Sequence, residues 1–218
     1  MSAPLQKLLA FMSPAFPVGG FAWSAGLETA IAEGVVSDAA TLGDWLEGLL
    51  HHGGLATDAI LLCEAHRHHR EAAFLDELAE FALALNVAGE RQAEMLQMGD
   101  AFIAAAGAWR AEMPAPLPAP CPYPIAVGAI AASHEIEIGD MALAFLTAQV
   151  QAQISVGVRL VPIGQIAGLA ILAALEADIA ARASAATGAT LDDIGTLSYA
   201  ADIAQMRHET LSTRIFRS

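Results

Sequence analysis

The sequence predicts an all-α protein, folded as one large domain or a tight pair of subdomains. Apolar residues recur at helical spacing along nearly the whole chain. No stretch alternates apolar and polar residues over a useful length, so strand signals are nearly absent. The 218 residues are ample for one hydrophobic core.

Taken in order, Gly34 and the Ser37–Asp38 pair read as a stop and a restart. Ser37 suits an N-cap, and Thr41 with Asp44 resembles a capping box. Leu42, Trp45, Leu46, Leu49 and Leu50 then form one helix face. Gly53–Gly54 breaks or kinks that helix. Leu55, Ile60, Leu61 and Leu62 start a second pattern, and Phe74 to Leu85 gives a third. Val87 to Trp109 reads as a long helix. Residues Pro114 to Pro124 place proline at every second position, which forbids helix and favours an extended strap. That strap is a stiff connector or a recognition segment for an aromatic groove. Tyr123 to Ser133 follows, apolar with small residues. Met141 to Val158 and Ile163 to Ala183 read as two long helices rich in Ala and Gly, expected at the centre of the core or at a subunit interface. Thr187–Gly188 ends the second, and Ser198 to Gln205 makes a last short helix. No internal repeat is visible.

Apolar residues make up 56% of the chain and charged residues only 16%, below the ~25% of an average soluble domain. Such a surface is greasier than a lone monomer comfortably hides, so part of it is expected to meet another protein. The mean hydropathy of +0.49 raises the question of a membrane. The best candidate in the sequence, Leu160 to Leu175, is too short and holds Pro162, Gly164 and Gln165, so buried helices are expected instead. The N-terminus shows no leader pattern, and Cys63 and Cys121 make no disulfide scaffold. Both features suit a cytoplasmic protein. The formal charge of −14 repels phosphate backbones and argues against nucleic acid as a partner.

Enzyme signatures are missing. No phosphate-cradling glycine loop, no Gly-x-Ser-x-Gly and no His-Glu-x-x-His occurs. Carboxylate pairs such as Asp192–Asp193 sit beside loop signals and read as caps and turns. Cys63, His66 and His69 stand three apart and form a ladder on one helix. It is either a polar helix end or a transient site for zinc or nickel.

Two segments ask for more. The first, Ser13 to Glu28, sets Pro14, Pro17 and the Gly19–Gly20 pair beside Phe16, Phe21 and Trp23. It is a helix-entry loop packed on the core or a preformed docking surface. The second is the C-terminal tail, residues 206–218. Arg207, Arg214 and Arg217 are interleaved there with Met206, Ile215 and Phe216, so three of the chain's ten Lys/Arg lie in it. Arginine with aromatics is the usual anchor chemistry of protein interfaces, and a frayed tail gains little from it.

At these segments the chain resembles the UreF family of urease accessory proteins. Ser13, Pro14, Pro17, Gly19, Phe21, Ser24, Gly26, Leu27 and Glu28 match the family's N-terminal signature. Arg91, Glu94, Met98 and Gly99 match a middle helix, and Arg159, Leu160, Pro162, Gly164 and Gln165 a later stretch. The tail matches through Met206, Arg207, His208, Glu209 and Thr210, then Arg214, Phe216 and Ser218. It departs from the family at Leu211 and Ser212, and the first block departs at Ala22–Trp23.

The resemblance implies a single orthogonal bundle of about ten helices, a homodimer, and no enzymatic activity. It implies partners UreD (also called UreH), the GTPase UreG and apo-urease, with nickel handled by the assembly and no tightly bound cofactor or metal of its own. Arg207, His208, Glu209, Thr210, Arg214, Phe216 and Arg217 are then partner-binding candidates, with the tail ordering on UreD. Pro14, Pro17, Gly19, Phe21, Ser24, Gly26, Glu28, Arg159 and Gln165 form the structural or partner-facing loop set. Two alternatives stand beside this scaffold. One is direct regulation of the GTPase through Arg159 or Arg91, and the other is a nickel carrier using Cys63, His66 and His69.

Overall fold

The computed structural model of the protein describes residues 3–109, 113–195 and 198–218. Among them stand eleven α-helices and no strand: α1 Ala3–Phe11, α2 Leu27–Ala32, α3 Ala39–His52, α4 Gly54–Arg67, α5 Ala72–Ala84, α6 Gly89–Ala106, α7 Tyr123–Ser133, α8 Ile138–Leu160, α9 Gln165–Ala174, α10 Glu176–Gly188 and α11 Tyr199–His208. The fold is the expected all-α bundle.

Its centre is α7 rather than the pair of Ala/Gly-rich helices. Nine consecutive residues of α7, Tyr123 to Ala131, are buried. A helix apolar on every side has no face for water and ends up enclosed. The main packing partners of α7 are α4, buried continuously from Leu55 to Ala65, and α6. Gly128 makes the closest approach possible. A Cβ there would run into the Leu62 carbonyl oxygen, so the α7 and α4 backbones touch.

Local chemistry explains the boundaries. The cap of α3 is Asp38, one residue later than expected. Its carboxylate accepts from Thr41 N at 2.9 Å, and Thr41 Oγ1 accepts in turn from Asp38 N at 3.1 Å, so the box closes on Thr41 and not on Asp44. Gly53 sits between α3 and α4 as the expected break. The segment read as one helix from Ile163 to Ala183 is two, divided at Leu175. Leu175 is buried, and packing rather than a glycine or proline turns the chain there. The proline strap is irregular up to Pro122, and Tyr123 and Pro124 already belong to the first turn of α7, where proline's missing N–H does no harm.

Among the described residues one helix, α8, is long and apolar enough by length and composition to cross a membrane, and half of its most apolar window is buried inside the protein. The expected candidate, Leu160 to Leu175, instead spans the end of α8, a turn and the short helix α9. In α8, Met141, Ala142, Phe145, Leu146 and Val150 face the core, the ordinary position of a central helix in a bundle.

Candidate partner-binding site

The two segments singled out in the sequence form one site. The loop from Ser13 to Gly26 leads into α2, and the chain after α11 folds back onto that loop. Gly26 starts α2 at φ +83, in the left-handed region that glycine tolerates, and a side chain there would strike Gln205 of α11.

Glu28, buried at the start of α2, is the hub. Its Oε1 accepts from Ile215 N at 2.7 Å. Its Oε2 accepts from Phe216 N at 3.0 Å and from His208 Nε2 at 3.0 Å. The His208 ring is fully buried, and its Nδ1 lies 2.6 Å from Glu90 Oε2. A carboxylate oxygen thus faces each nitrogen of the ring. Glu90 also accepts from Arg214 Nη1 at 2.6 Å. A buried carboxylate that receives three donors is satisfied; one stripped of them is not.

Beyond Glu28 the tail is stitched to the loop. Arg217 N donates to Ala22 O at 2.9 Å, and its guanidinium lies over Trp23, 4.6 Å from the ring centroid. Ser24, fully buried, donates from N and from Oγ to Ser218 O. Ser218 Oγ donates to Glu94 Oε2 at 3.1 Å. Phe216 is buried beneath Arg159, whose guanidinium is 5.2 Å from its centroid while Nη1 donates to Phe21 O at 3.1 Å.

In the structure the tail packs on its own chain, through Glu28, Ala22 and Trp23. The candidates divide accordingly. His208 and Phe216 point inward, whereas Arg207, Glu209, Thr210, Arg214 and Arg217 are exposed. Arg207 pairs with Glu33 at 3.1 Å on the surface. Thr210 Oγ1 donates to Arg207 O at 3.0 Å.

In the loop set, Pro14, Pro17, Gly19 and Phe21 line an apolar groove of about 570 Å³, closed on its other side by α8 and α9 with Arg159 and Gln165. Ser24, Gly26 and Glu28 instead serve the tail. Glu90, Trp23 and Glu33 were missed. Glu90 stood next to the matched Arg91 and Glu94, and only its partners across the chain mark it.

The alternative chemistries fare differently. Arg91 is enclosed, 2.6 Å from Asp58 Oδ2 and 3.0 Å from Glu94 Oε1. Burial disfavours its charge, but Glu94 and Asp58 outweigh burial and hold the guanidinium charged. Burial pushes the Asp58 carboxyl up from its ordinary range. An arginine so held cannot reach another protein's active site, while Arg159 is exposed. The Cys63 ladder is occupied with structure. Cys63 is fully buried and its thiol is pushed up to about 11, mainly by burial. His66 Nε2 lies 2.8 Å from Ile136 O, and His69 Nδ1 2.9 Å from His66 O. Among the described residues no group of three or more His, Cys, Asp or Glu is placed to hold a metal ion.

The UreF family model matches residues 36–176. The urease accessory protein UreF of Rhizobium etli (strain CIAT 652) is 48% identical over 214 residues, 98% of this chain and 96% of that protein. The chain belongs to the UreF family. UreF of Agrobacterium fabrum is 49% identical over 216 residues, 99% of this chain and 97% of its own. UreF of Rhodopseudomonas palustris (strain TIE-1) is 44% identical over 225 residues, covering 100% and 93%. These relatives are named as accessory proteins. In this chain the tail and the N-terminal block, distant in sequence, interlock.

Proposed function

We propose that this protein is a scaffold of urease maturation in the cytoplasm. It binds UreD (UreH), and with it recruits the GTPase UreG so that nickel reaches apo-urease; a homodimer is the working form. One observation supports this reading above others. The tail is fixed by Glu28, Glu90 and Phe216, and its outer side shows Arg207, Arg214, Ile215 and Arg217 to solvent. Ile215 is 70% exposed between two arginines. A preordered surface of cations around an exposed apolar side chain meets a partner without the ordering loss of a floppy tail. Nickel is cargo of the assembly in this reading, and no residue here is assigned to bind it.

Co-expression with UreD and UreG tests it. Full-length protein should co-purify with UreD and support urease activation. A chain ending at Thr210, which keeps α11 but drops the arginine-rich end, should lose UreD. Full retention of UreD by that chain, or activation of urease in a strain lacking the protein, would refute the scaffold role.

A further inference from the structure

The groove beside the N-terminal loop is unlike the rest of the surface. The chain carries 24 acidic and 10 basic side chains, yet among the described residues the only charged one lining this groove is Arg159. The remaining walls are apolar or neutral, with Phe16, Val18 and Met98 on one side and Val158, Leu169 and Leu172 on the other. Its volume of about 570 Å³ lies within the ~300–1,000 Å³ range of binding clefts.

Arg159 spends one N–H on Phe21 O and one face on Phe216. Among the described residues it has no carboxylate within salt-bridge distance, although acids outnumber bases more than twofold. The guanidinium therefore keeps donors for an outside carboxylate, in a planar fork suited to bidentate pairing. The groove also continues into an apolar rim. Phe21 is 73% exposed and Leu169 61%, and Ile166 on the same helix as Leu169 is 85% exposed. A small molecule would fill the cleft and leave that rim wet. A chain segment covers both.

We infer that this groove receives an apolar segment of a partner chain bearing an Asp or Glu that pairs with Arg159. Charge selects the occupant: the charge on the described lining of this face is positive, and a segment with a single acid on an apolar face complements it. The inference rests on the scaffold reading and gives it a second contact, separate from the outer side of the tail.

The test places a benzophenone amino acid at Leu169 in the full-length protein, co-assembled with UreD, UreG and apo-urease, and maps the cross-links by mass spectrometry. The expected product joins Leu169 to an apolar stretch of a partner chain with an acidic residue within about one helical turn. Arg159→Glu should lower the cross-link yield at least ten-fold. Because Arg159 also touches the tail, Ser155→Trp serves as the second variant. Ser155 is exposed on the groove wall, and a tryptophan there blocks the cleft without removing any contact of Arg159. It should lower the yield equally and leave UreD capture through the tail intact. A cross-link only to a second copy overturns the inference. So does a yield unchanged by both variants, or no cross-link in an assembly that still co-purifies. An unmodified chain that captures no partner sinks the scaffold reading and this inference with it.

Discussion

Glu28 and His208 are 180 residues apart in the chain, and their side chains meet at 3.0 Å with no exposure on the imidazole ring. This contact joins the first helix after the N-terminal loop to the last helix, and the same carboxylate holds the backbone of Ile215 and Phe216.

Glu28→Gln should therefore free the tail. The amide keeps the shape but turns one end into a donor that faces donors from Ile215, Phe216 or His208. Leaving such groups unpaired costs about 2–4 kcal/mol. Urea denaturation should show that loss. Limited proteolysis should cut after Arg207 or Arg214 in the variant while the parent resists.

Both thiols should be silent in the native protein. Cys63 and Cys121 are fully buried, and burial pushes them up to about 11 and about 12. A disulfide thiol reagent at pH 8 should titrate no cysteine until denaturant is added, then two. Fast reaction of either thiol in buffer would contradict the placement of α4 or of the strap's end.

Much of this was legible in the sequence, for definite reasons. The helices after Gly34 and Gly53 announce themselves by apolar spacing and glycine breaks, and the tail by arginines set among Ile215 and Phe216. The α3 cap was misplaced because Ser37 and Asp38 are both good caps, and only the position of Thr41 decides between them. The break at Leu175 has no glycine or proline to signal it; a buried leucine turns the chain through its packing. Glu28 stood out within a motif, but nothing local shows that it grips His208. Contacts between distant segments need three dimensions, and for the same reason Glu90 was passed over.

Gly128 tests the core. Any side chain there meets the Leu62 carbonyl of α4, which is backbone and cannot swing aside. Gly128→Val should destabilise the protein by about 3 kcal/mol or more, the upper end for overpacking. Thermal melting reads it. A variant as stable as the parent would mean that α4 and α7 do not touch there.

His66 gives a pH signature. Burial, its largest influence, lowers its pKa below the usual 6.5. The unfolded chain then binds a proton that the folded chain refuses, so this contribution to stability is complete above about pH 6.5 and shrinks as pH falls below it. Burial raises Asp58 instead, which acts in the opposite direction. The clean observable is the difference between parent and His66→Gln. Their melting temperatures should converge or cross as pH drops from 7 to 5, and a constant gap would contradict the burial of the ring.

The central claim is that the outer side of the fixed tail holds UreD. Isothermal titration of purified UreD into the parent and into an Arg207→Ala/Ile215→Ala/Arg217→Ala variant tests it most directly, with melting curves of both alongside. These side chains lie outside the Glu28 socket, so the variant should melt close to the parent, while affinity falls at least about 100-fold if anchors of this kind are each worth ~2 kcal/mol. Equal affinity of the two proteins for UreD would contradict the account.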